Sequence, residues 1–292
     1  MKKAKGHTYS EKDRLRGYAS VYSRKVFCNL LKYEDYTRMD CLHVRYDAGR
    51  KKEKTYLSYI KYMYRSMVKG YRCEYVYKNA IINDILQKYA LKDTVVFNEF
   101  AIRKTIVDLV MFNGHSRAFE IKTEYDSTIR LANQLAEYAR LFQQCYVVFP
   151  EHLAEFYIQE VPKTVGLIAL KYKNGQICLE EIREAEYNLS LDATLLMKCL
   201  RTEEYKKIVT DCFGALPQVS CFKMYEACES MIARLPKNVL HDCFVRTMKQ
   251  RNNNTRLLKK VSPEMRQMCL QLGLSAEQMN QLNIYLKKPL NY

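Results

Sequence analysis

Residues 105–123 read TIVDLVMFNGHSRAFEIKT. Ile106 to Phe112 has the Val, Ile and Phe content of a strand. Asn113-Gly114 tolerates the positive φ values of a type I′ turn, so the stretch predicts a hairpin in which 106–112 pairs antiparallel with 117–123. Upstream, Thr94 to Ala101 reads as a further strand, preceded by a helix from about Glu74 to Tyr89. Downstream, Arg130 to Gln143 places Leu131, Leu135, Ala139 and Phe142 on one helical stripe, and Cys145 to Phe149 is a continuous apolar run of the kind a buried strand shows. The expected fold class is α/β, with a core ordered helix, three strands, helix, strand.

Three charges interrupt this apolar frame: Asp108 in Ile-Val-Asp-Leu-Val, and Glu120 and Lys122 in Ala-Phe-Glu-Ile-Lys-Thr. Side chains alternate along a strand, so Glu120 and Lys122 share a face, and hairpin pairing can bring Asp108 to it. Two carboxylates and an amine converging there match the needs of metal-assisted phosphodiester hydrolysis. Acidic oxygens can hold Mg²⁺, which keeps several waters and accepts phosphate oxygens. It also neutralises phosphate charge and lowers the pKa of an attacking water. A lysine adds fixed positive charge where negative charge develops. The same residues also read as a structural salt bridge between Lys122 and one carboxylate.

Asp108 followed by Phe-Glu-Ile-Lys (119–122) resembles the PD-(D/E)xK nuclease superfamily, the restriction-endonuclease-like fold, in an uncharacterised bacterial or phage branch. The resemblance covers about residues 73–170 and departs from the pattern at Val107, where the superfamily name implies proline. It implies Asp108 and Glu120 as ligands of Mg²⁺ or Mn²⁺, the Ile121 carbonyl completing the sphere, and Lys122 as the motif lysine. Members often add a glutamate on the helix before the sheet; Glu74 matches by position, and Glu99 on the preceding strand competes with it. Gln134 and Tyr138 form a Q-x-x-x-Y pair similar to that of RecB-like members, where it helps complete the active site; the i, i+4 spacing puts both on one helical face. The bland reading is the polar flank of an amphipathic helix.

Of the 292 residues, 48 are Lys or Arg and 32 are Asp or Glu, a net +16 that points first to nucleic acid and more weakly to anionic lipid. The surplus sits at the ends. Residues 1–72 hold 19 bases against 7 acids, and residues 251–292 hold 7 against 2. In the first of these, bases interleave with Tyr18, Tyr22, Tyr33, Tyr36, Tyr56, Tyr59, Tyr62 and Tyr64. Such tyrosines can stack on exposed nucleobases or pack inward beneath a solvated basic face. The 11 cysteines are dilute, form no C-x-x-C and read as small apolar residues, and Met1–Arg16 carries no apolar stretch behind its lysines, so a cytoplasmic protein is expected. No run is long enough to span a bilayer. No G-x-x-x-x-G-K-[ST] occurs, so any motor would be a separate protein.

From Leu189 the pattern is helical: 195–209, 219–235 and 239–251, then a linker at Asn252 to Asn254. Ser275 and Gln278 have capping-box spacing, so one helix should end near Gly273 and another start near Ser275, an outline open to either a helix-turn-helix or a plain helix pair. The expected segments are a basic Tyr-rich region (1–72), the nuclease-like core (73–188) and a helical C-terminal domain (189–292). The expectation is an Mg²⁺-dependent nuclease acting on DNA more than RNA, of a kind that includes phage-defence effectors, with a homodimer or a partner protein for two-strand cutting. The alternative is a nucleic-acid-binding module whose acidic cluster is structural or degenerate.

Overall fold

The computed structural model describes residues 9–251 and 254–291; Asn252 and Asn253 of the expected linker lie outside them. The chain begins with helices α1 (Glu11–Ala19), α2 (Arg24–Tyr33), α3 (Thr37–Leu42), α4 (Tyr56–Gly70) and α5 (Glu74–Lys88). Strands β1 (Val95–Ile102), β2 (Thr105–Phe112) and β3 (Ser116–Ile121) follow, then α6 (Leu131–Ala139), β4 (Gln144–Pro150), α7 (Ala154–Glu160), β5 (Gly166–Lys173) and β6 (Gln176–Arg183). The rest is helical: α8 (Ala193–Cys199), α9 (Thr202–Phe213), α10 (Met224–Ile232), α11 (Lys237–Gln250), α12 (Arg266–Gln271) and α13 (Ala276–Leu286). Among the described residues no helix is long and apolar enough to cross a membrane.

The fold is mixed α/β, with a six-stranded sheet in the order β1-β2-β3-β4-β5-β6. Two compact units emerge, and they cut across the three consecutive segments expected from composition. One comprises 1–87, 172–178 and 257–292; the other comprises 88–171 and 179–256. Composition tracks neighbours in sequence, whereas a unit is defined by which faces bury one another, so both basic ends fall in one unit.

In the larger unit β1, β2 and β3 form an antiparallel meander. The crossover through α6 returns β4 parallel to β3, as such a connection requires. Every residue of β4 is buried, in keeping with its continuous apolar run. The hairpin register corrects the expected turn. Phe112 pairs with Ser116, leaving a three-residue loop in which only Gly114 has positive φ (93°), so it is not the two-residue I′ turn. Four pairs form, 109–112 with 116–119, and 106–108 stay outside the β2–β3 ladder. Beyond the expected elements, β5 and β6 extend the sheet; β6 has no buried residue and carries Glu180, Glu181 and Arg183 among its apolar ones, which hides it from hydrophobic patterning. The helix expected over 195–209 is split into α8 and α9.

His241 of α11 is buried against β3, with Nε2 3.1 Å from Ser116 Oγ. Burial lowers its pKa from 6.5 to about 4, against a smaller opposing influence of Asp242. The unfolded chain therefore takes up a proton here that the native state refuses, and stability should fall as pH drops from about 6.5 towards 4. Melting temperatures of wild type and His241→Gln across that window should show a shallower pH slope in the variant; equal slopes would exclude this histidine.

In the smaller unit the tyrosines settle the question left open above, because Tyr18, Tyr22, Tyr56 and Tyr59 are buried and not available to stack on bases, while Tyr33 is 75% exposed. Three phenols converge on the buried carboxylate of Asp47, which ends the π-helical turn His43–Asp47: Tyr18 donates at 2.7 Å, Tyr59 at 2.8 Å and Tyr62 at 3.4 Å. Burial and this carboxylate push the Tyr18 and Tyr59 phenols well above their ordinary range. Hydrogen bonds to a charged group contribute about 1.5–3 kcal/mol, so Asp47→Ala should cost about 3 kcal/mol in denaturant unfolding. The predicted capping box at Ser275 and Gln278 opens α13, after Gly273 at φ 60°.

Candidate active site

The site grows from the place where β2 and β3 stop pairing. The last ladder pair is Leu109 with Phe119. One step further, Asp108 stands opposite Glu120 on the same face, but its carboxylate Oδ2 accepts the Ile121 N–H at 2.8 Å. A side chain thus replaces a backbone partner, and the strands part here. On the other side, Glu99 of β1 stands opposite Asp108 at the one gap in the β1–β2 ladder, with its backbone left-handed at φ 55°. That conformation costs a residue with a Cβ free energy, and such outliers gather at functional sites.

Glu120 (3% exposed) and Lys122 (7%) are both buried. Lys122 Nζ donates to Glu120 Oε1 at 2.8 Å and to Gln134 Oε1 at 3.2 Å. Tyr138, on α6 one turn beyond Gln134, donates to Glu120 Oε2 at 2.7 Å; its hydroxyl lies 3.0 Å from the Ile106 carbonyl and 3.5 Å from Gln134 Nε2. Burial, then Glu120, then Asp108 raise the Tyr138 phenol far above its ordinary range, so both carboxylates act on this one hydroxyl and it remains a donor. Lys122 lies one residue past β3, where its N–H still bonds the Val148 carbonyl at 2.9 Å.

The structure therefore brings together Asp108, Glu120, Ile121, Lys122, Gln134 and Tyr138. Glu74 belongs to the other unit, on the first turn of α5, where its carboxylate pairs with Lys78 at 2.5 Å. Val107 is fully buried in the core. The Ile106 carbonyl was invisible beforehand, since a backbone acceptor has no sequence signature.

An ionised carboxylate has about four acceptor positions. Two of Glu120's are taken, so it can still accept a cation, and Asp108 adds a second hard oxygen donor of the kind Mg²⁺ prefers. Among the described residues no group of three or more His, Cys, Asp or Glu is arranged to hold a metal ion, so a cation here would rest on two carboxylates and the Ile121 carbonyl. Mg²⁺ commonly needs no more than one or two carboxylates, the rest being water and phosphate.

Comparison with known proteins gives the lineage. The chain is 23% identical to Protein cII of Enterobacteria phage P4 over 181 residues, 61% of this chain and 67% of the relative. A solved protein of unknown function from Silicibacter pomeroyi aligns with 49% of this chain and 92% of its own, at 15% identity and a TM-score of 0.31, too low to bear on the fold. The family model described as Bacteriophage P4 protein cII matches residues 67–272, the whole charged cluster included. As that match takes in more than half of the sequence, the chain belongs to the bacteriophage P4 protein cII family.

Proposed function

We propose that this protein is a metal-dependent nuclease, built on a restriction-endonuclease-like core, that hydrolyses phosphodiester bonds of nucleic acid, DNA in preference to RNA. The observation that carries the reading is the buried Glu120–Lys122 pair, gripped by Gln134 and Tyr138, with Asp108 beside it at the opening between β2 and β3. The order α5, three-stranded meander, α6 and parallel β4 agrees with it. Mg²⁺ or Mn²⁺, when bound, would neutralise phosphate charge and acidify water. Asp108, Glu120 and the Ile121 carbonyl would hold that cation. Lys122 Nζ, fixed between Glu120 and Gln134, presents positive charge to the phosphoryl oxygens as a water O–P bond forms and one ester P–O bond breaks, the proton lost by the water being returned to the departing oxygen. Tyr138 fixes the Glu120 rotamer through its hydroxyl, making it a positioning residue.

One observation favours a non-catalytic nucleic-acid-binding module instead: both Glu120 oxygens already have internal partners, as in a structural ion pair. The deciding experiment incubates the protein with linear, circular and single-stranded DNA and with RNA, in Mg²⁺ or chelator. Metal-dependent cleavage that Asp108→Ala removes supports the nuclease; binding without cleavage, unchanged in the variant, supports the module.

A further inference from the structure

The loop over 122–130, joining β3 to α6, is braced from within. Asp126 Oδ2 accepts from the Thr123 N–H at 2.7 Å and hydroxyl at 2.8 Å, the Tyr125 N–H bonds Thr123 Oγ1 at 3.2 Å, and the Ile129 N–H bonds Ser127 Oγ at 3.3 Å. Lys122 and Thr123 are buried, whereas the large apolar side chains beyond them face solvent beside the exposed Asp126 and Ser127: Tyr125 is 58% exposed and Ile129 87%. Ile106 adds a third at 56%. Single exposed hydrophobes are ordinary, but each of these is tied to the buried cluster. Tyr125 follows Lys122 by three residues, which keeps their Cα atoms within about 11 Å. Ile106 shares the strand face of Asp108, and its carbonyl meets Tyr138. Ile129 immediately precedes the helix that carries Gln134. Exposed cations accompany them, with Lys104 two positions from Ile106 and Arg130 next to Ile129.

We infer that this rim contacts the faces of unpaired nucleobases, so that the cluster acts on single-stranded or frayed nucleic acid and not on intact duplex; the inference rests on the nuclease reading. In a duplex the base faces are stacked out of reach and a protein meets phosphates and base edges. Aromatic and aliphatic side chains contact base faces only once the bases unstack, with neighbouring cations following the phosphates. A rim serving duplex alone would be served better by Lys and Arg than by Tyr125, Ile129 and Ile106.

The test uses the full chain in chelator and reads fluorescence anisotropy of a labelled single strand and of the same sequence as duplex. Wild type should prefer the single strand. Tyr125→Ala/Ile129→Ala should weaken single-strand binding at least about tenfold and leave duplex binding unchanged, with the duplex arm and the unfolding midpoint reporting on the fold of the variant. Equal losses on both forms overturn the inference, as does undiminished single-strand binding, the result expected if the rim serves a protein partner. Cleavage in Mg²⁺ is scored separately with wild type and Asp108→Asn. Cleavage without strand selectivity sinks this inference alone; selectivity that the double variant removes, without any cleavage, sinks the nuclease reading and leaves only the rim's contact with unpaired bases standing.

Discussion

Asp108→Asn is expected to lower Mg²⁺-dependent cleavage by roughly a thousandfold while leaving the fold intact. Asparagine keeps an oxygen to accept the Ile121 N–H, so the local bond at 2.8 Å survives. What disappears is one of two anionic donors. A bound cation contributes several kcal/mol of transition-state stabilisation, and about 4 kcal/mol corresponds to roughly three powers of ten in rate. A second readout is independent of turnover. Wild type should melt higher in Mg²⁺ than in chelator, since a ligand that binds only the native state stabilises it, and the variant should lose most of that increment. In chelator the variant should be as stable as wild type or slightly more so, because removing one of two neighbouring anions relieves repulsion. An Mg²⁺-insensitive melting point in wild type would refute the metal assignment whatever the cleavage assay shows.

Lys122→Ala should destabilise the larger unit by about 3–5 kcal/mol, the usual cost of stranding one member of a buried ion pair. Both partners are almost wholly buried and 2.8 Å apart. The Tyr138 hydroxyl would remain as Glu120's donor, a neutral group that only partly compensates. The double variant Glu120→Gln/Lys122→Met should recover most of the stability in urea unfolding, since replacing a buried pair by neutral groups of similar size is commonly near neutral. It should not recover cleavage. A single variant as stable as wild type would mean that the pair is open to solvent and contributes little; a double variant as unstable as the single would place the cost in the hydrogen bonds that Lys122 makes to Glu120 and Gln134, which methionine cannot replace.

Much of the site was legible beforehand because its logic is local. Strand alternation puts Glu120 and Lys122 on one face, and helical spacing puts Gln134 and Tyr138 on another, whatever the rest of the chain does. The four were then found in one hydrogen-bonded network. The rim was missed, although Thr123 and Asp126 have the spacing of a side-chain-braced turn, the one available sign that the following residues point outward. Glu99 was legible only as a competitor of Glu74; its left-handed backbone opposite Asp108 depends on pairing between strands.

By itself the sequence determined the α/β class, the antiparallel pairing of β2 with β3, α6 and buried β4, and the capping of α13, since periodicity, turn residues and caps act over a few positions. Register was decided only in three dimensions. The three-residue loop, the end of the ladder at Leu109–Phe119 and the turn of Asp108 onto Ile121 follow from how neighbouring strands bury their faces. The inward packing of Tyr18 and Tyr59 onto Asp47, and the meeting of both chain ends in one unit, were likewise settled by burial between distant segments. Charge counting sees none of this, because a basic stretch looks the same in sequence whether its aromatics face water or each other.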